Sequence, residues 1–75
     1  MNMDLTQTKL IGLTLELEIK AKEYKDLCAQ LDQLKEEGIS PNDPKLLILK
    51  SKFESNQQSI ADINRQLREL NNNKE

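Results

Sequence analysis

The sequence predicts an all-α fold: an antiparallel two-helix hairpin, coiled-coil-like, that dimerises into a four-helix bundle. Three observations point there. Charged residues make up 32% of the 75 and aromatics only 3%, with two glycines and two prolines, which is a composition of long helices rather than of sheets. The only punctuation is EEGISPNDPK, residues 36–45, which holds both prolines and one glycine and divides the chain in two. In the second half, Leu46, Leu49, Phe53, Asn56, Ile60, Ile63, Leu67 and Leu70 follow alternating steps of three and four, a heptad seam.

Helix 1 is expected over about residues 5–37. Asp4 with Gln7 three positions later has the pattern of a capping box, which starts the helix near Leu5. The ambiguous stretch is LTLELEIK, residues 13–20, whose strict alternation is that of a half-buried strand. Placed on a helix, however, Leu10, Leu13, Leu17, Ala21, Tyr24, Leu27, Cys28, Leu31 and Leu34 gather into one stripe, which a short strand leaves unexplained. The alternation arises because Ile11, Leu15 and Ile19 form a second stripe, at i, i+4 and i+8, on a different side. Gly12 lies beside it and costs the helix about 1 kcal/mol relative to alanine. It is either a plain defect or a point where another helix approaches closely.

Residues 38–43 form the loop. Gly38 falls where a C′ glycine ends a helix in the left-handed conformation, with Ile39 at C″ folding back on Leu34. Asp43 followed by Pro44 reads as N-cap and first residue of helix 2. Ser40 followed by Pro41 is a competing start, disfavoured because Pro44 would then sit inside the helix. Helix 2 is expected over about 44–71. Its one polar seam residue, Asn56, is either a tolerated solvent-edge residue or a group that fixes register. The NNNKE end has nothing to bury, so residues 72–75 should fray.

The whole chain, 1–75, then forms a single helical-hairpin domain. Folding at the loop opposes Leu34 to Leu46, Leu31 to Leu49, Leu27 to Phe53, Tyr24 to Asn56, Leu17 to Ile63, Leu13 to Leu67 and Leu10 to Leu70, with Ile60 near Ala21. Tyr24 and Asn56 are thereby placed to share a hydrogen bond. Ile11, Leu15, Ile19, Leu47 and Ile48 are left in water. Burying a side chain of that size is worth about 1.5 to 3 kcal/mol, so these five are the expected interface, either with a second copy or with helices of another protein.

The same residues exclude much chemistry. A single cysteine and no histidine rule out an internal disulfide and the usual zinc sites, and two isolated glycines build no phosphate loop. No catalytic, cofactor-binding or metal-binding residues are expected, and no small-molecule substrate. The carboxylate pairs Glu16 with Glu18 and Glu36 with Glu37 read as solvated helix charges, and Cys28 as a small thiol buried in the main stripe. The net charge of -2 comes from 11 basic and 13 acidic residues intermixed, which gives a phosphate backbone nothing to follow. Nucleic acid is not an expected partner. No apolar run approaches the roughly 20 residues of a membrane span, and MNMDLTQTK lacks the features of a signal peptide. A cytoplasmic, non-membrane protein is expected.

The stretch PNDPKLL, residues 41–47, resembles the Pro-x-Asn-Pro-x-Leu-Leu turn of type III secretion needle subunits, which are also small helical hairpins. Asp43 stands in place of the asparagine, and the polar C-terminus departs from the apolar helix that those subunits pack into a filament. The first functional expectation is a non-enzymatic interaction module: an adaptor, small chaperone or assembly factor. The second, which the resemblance implies, is a structural subunit of a larger, needle-like helical assembly.

Overall fold

The computed structural model describes residues 5–72, which form two helices, α1 (Leu5–Glu36) and α2 (Pro44–Asn72). They fold back on each other as an antiparallel hairpin, a rod of 56 × 20 × 13 Å. The stretch 13–20 is helical throughout. The expected Asp4 capping box lies outside the described residues, as do residues 73–75 of the tail; Asn72, expected in the frayed end, belongs to α2.

Local chemistry fixes the turn. Gly38 adopts φ 71°, its N–H donates to the Lys35 carbonyl (3.1 Å), and the Ile39 N–H donates to the Leu34 carbonyl (3.2 Å). This is the Schellman arrangement that satisfies the last carbonyls of α1. The chain then makes a second turn: the Asp43 N–H donates to the Ser40 carbonyl (3.0 Å), with Pro41 at the position where its fixed φ suits a turn. Ser40 thus opens a turn and not a helix, its hydroxyl accepting from the Asn42 N–H (3.3 Å). Asp43 is the N-cap of α2, its Oδ1 accepting from the Lys45 N–H at 2.9 Å. Removing that acceptor in Asp43→Ala is expected to lower stability by about 1 kcal/mol in chemical denaturation, without loss of the hairpin.

Between the helices, Leu27, Leu49, Ile63 and Asn56 are buried. Leu13, Leu17, Leu31, Leu34, Leu46, Phe53, Ile60, Leu67 and Leu70 are half-buried, while Leu10 and Tyr24 lie exposed on the rim of the seam. Two features differ from the sequence-based pairing. Lys20, not Ala21, occupies the seam; Lys20 is half-buried and Ala21 is exposed. The reason is periodicity, since Lys20 shares the seven-residue spacing of Leu13, Leu27 and Leu34. Its stem can be covered in this way while the ammonium stays near the surface, 3.7 Å from Glu23.

The second difference is the partner of Asn56. Its amide Nδ2 donates to the Lys20 carbonyl (3.0 Å) and to Glu23 Oε1 (2.8 Å), not to Tyr24, and its Oδ1 accepts from Gln57 (3.3 Å). At 1% exposure Asn56 is the most buried side chain described, so it is no solvent-edge residue. Tyr24 instead packs edge-to-face on Phe53, centroids 5.8 Å apart at 78°, one step of the seam nearer the loop than expected. A side-chain hydrogen bond with half-buried Cys28 raises the Tyr24 phenol above its ordinary pKa, with smaller contributions from the charge interaction with that thiol and from desolvation.

Candidate functional site

With the seam satisfied, large apolar side chains away from its rim remain on the surface in two places among the described residues. The first is the open end of the rod, on α1. Leu5 is 70% exposed, Leu15 54% and Ile19 62%, with Ile11 between them also in water. The second is at the loop end, where Leu47 and Ile48 open α2 and are exposed too. Ile48 borders a shallow groove with Gln30, Leu34 and Leu49, while Ile19 borders another with Glu16, Lys20, Asp62 and Ile63. The five residues expected to form one interface are therefore not one patch. In an antiparallel hairpin the level of Ile11 is roughly twenty residues along α2 from Leu47, a separation of about 30 Å at 1.5 Å per residue.

The open-end face is the larger and the more regular. Leu5, Thr8, Gly12, Leu15 and Ile19 recur at steps of three and four, which makes a second seam on α1, rotated about 120° from the first at 100° per residue. Leu5 and Thr8 were missed as members, and Gly12 was placed only beside the stripe, because Ile11, Leu15 and Ile19 alone stand out as large and apolar. Gly12 has helical geometry, Gly38 being the glycine with positive φ. A Cβ built on Gly12 would meet nothing within 4 Å, so the hairpin's own packing does not require a glycine there.

The surroundings of this face are charged with both signs: Lys9 and Glu16 on the side toward α2, Glu18 and Lys22 on the other. On α2, Arg65 pairs with Asp62 one turn earlier and lies 3.7 Å from Glu69 one turn later, the kind of exposed ladder that holds a helix surface. Among the described residues no three His, Cys, Asp or Glu side chains gather as a metal would need, and no helix is long and apolar enough to cross a membrane. The chain matches no protein-family model, no curated protein and no solved structure. What the arrangement can do chemically is exclude water from a helix laid along the open end of α1.

Proposed function

We propose that this chain is a non-enzymatic protein–protein interaction module of the cytoplasm, a hairpin that presents the open-end face of α1 to another helix as an adaptor, small chaperone or assembly factor. The observation that carries this reading is the exposure of Leu5, Ile11, Leu15 and Ile19 on a helix whose other face is already occupied by α2. Covering each such side chain is worth about 1.5 to 3 kcal/mol, and contiguous apolar surface of this kind marks interaction sites. A photo-crosslinking residue in place of Leu15, in the native host, is expected to give a discrete protein adduct that the same residue in place of Lys50, on α2, does not give. Equal labelling at both positions would remove the open-end face as a docking site.

A second reading has one observation in its favour. The Leu47 and Ile48 patch differs from the open-end patch and lies at the other end of the rod, and two unlike patches that fit each other would build an open, head-to-tail filament. Growth of particle size without limit as concentration rises would favour that subunit role; a size that plateaus would exclude it.

A further inference from the structure

We infer that the occupant of the open-end face is a second copy of this chain, docked antiparallel so that the two α1 helices interleave about a two-fold axis near Leu13 and Thr14. The inference rests on the reading of this face as a docking surface and adds its partner, orientation and register. Size carries the first part of it. Along the stripe, the small residues Thr8 and Gly12 are followed by the large Leu15 and Ile19. When one copy is reversed against the other, Leu15 of each falls opposite Gly12 of the other, and Ile19 falls opposite Thr8. A two-fold interface is self-complementary in this way, each contact occurring twice. Parallel docking would set Gly12 against Gly12, leaving a gap, and Leu15 against Leu15.

Charge gives the same orientation independently. In the antiparallel register the flanking Lys9 of each copy lies across from Glu16 of the other, opposite signs on both sides of the axis. Parallel helices in a heptad arrangement would instead bring Glu18 of one copy to Glu23 of the other, like against like. Gly12 supplies a third argument. It costs α1 about 1 kcal/mol of helix propensity, and within the hairpin the space beyond it is open; Leu15 of a second copy is what fills that space. The stripe lies about 120° around α1 from the hairpin seam, so α2 of each copy remains on the outside. From Leu5 to Ile19 the contact runs only about 21 Å, short of a standard interface, so the dimer is a reversible, concentration-dependent one.

The test is light scattering across a wide concentration range at low salt, with circular dichroism to confirm that each variant is helical. The parent chain is expected to pass from monomer to dimer and stop there. Lys9→Glu and Glu16→Lys alone should each weaken self-association about ten-fold, whereas an equimolar mixture of the two variants should dimerise as well as the parent. Gly12→Leu should keep or raise helix content and lose the dimer. Dimers indifferent to the charge reversals, or an intact Gly12→Leu dimer, would overturn the register. A chain that stays monomeric at every concentration would overturn the second copy as occupant, while crosslinking at position 15 would still report whether another protein docks there.

Discussion

Leu49→Ala is expected to unfold most of the hairpin near physiological temperature. Leu49 is 3% exposed and is one of only three buried apolar side chains among the described residues, with Leu27 and Ile63. Truncating a buried leucine to alanine costs about 2–5 kcal/mol. A core of this size rarely supplies more than about 3–5 kcal/mol in total, so the loss consumes most of what there is. Thermal denaturation by circular dichroism should show a midpoint lowered by roughly 10 °C at the least. Leu47→Ala, two positions earlier but in water, should move the stability of the monomeric hairpin by no more than about 0.5 kcal/mol. Equal effects at the two positions would mean that the seam of α2 has been placed on the wrong face.

Asn56→Leu is expected to act in the opposite direction on stability and to damage the structure in another way. The Lys20 carbonyl keeps its own helical hydrogen bond and Glu23 is exposed enough to be hydrated, so removing the Asn56 amide orphans neither. Leucine at this level of the seam should therefore add roughly 1 kcal/mol, as an apolar replacement of a satisfied polar group can. What should disappear is uniqueness. Asn56 hydrogen-bonds across to a fixed point on the backbone of α1, and a buried asparagine of this kind specifies register at some cost in stability. In the variant, the amide resonances near Tyr24 and Phe53 should multiply as alternative registers and assemblies become populated. A single sharp set of resonances together with a higher melting point would show that packing alone fixes the alignment.

The contrast between the turn and the middle of the seam explains what could be seen in the sequence. Gly38, Ile39, Asp43 and Pro44 act within a few positions of themselves, through backbone geometry that each residue type either permits or forbids, so the caps were legible residue by residue. The hairpin follows from the heptad steps of α2 for the same reason. Lys20 was not legible as a seam residue because hydrophobic type favoured its neighbour Ala21, whereas the seven-residue period decides which of two adjacent positions faces α2. The partner of Asn56 was hidden for another reason: it is a main-chain carbonyl, which carries no residue identity, and the side chain that seemed to match it, Tyr24, is drawn to Phe53 instead. At the open end, Ile11, Leu15 and Ile19 announced themselves by size, but the stripe to which Leu15 and Ile19 belong also includes Thr8 and Gly12, whose contribution is the space they leave.

The burial along the rod is uneven, and that unevenness bears on motion. Of the buried seam residues, Leu27, Leu49 and Asn56 lie in the middle of the hairpin and its loop half and Ile63 lies farther out, beside Glu16 and Ile19, while toward the open end Leu10 is in water and Leu13, Leu67 and Leu70 are only half covered. Contacts at the open end also join residues far apart in sequence, so they close the longest loops and gain the least. The two helices accordingly part from that end first, like a zipper opened from the top, and amide hydrogen exchange should be fastest there and slowest beside Leu27 and Leu49. The proposed docking face lies in the segment that opens most readily. A partner bound there is expected to hold the slider shut, so that occupancy at one end is read as slower exchange along the whole length of the chain.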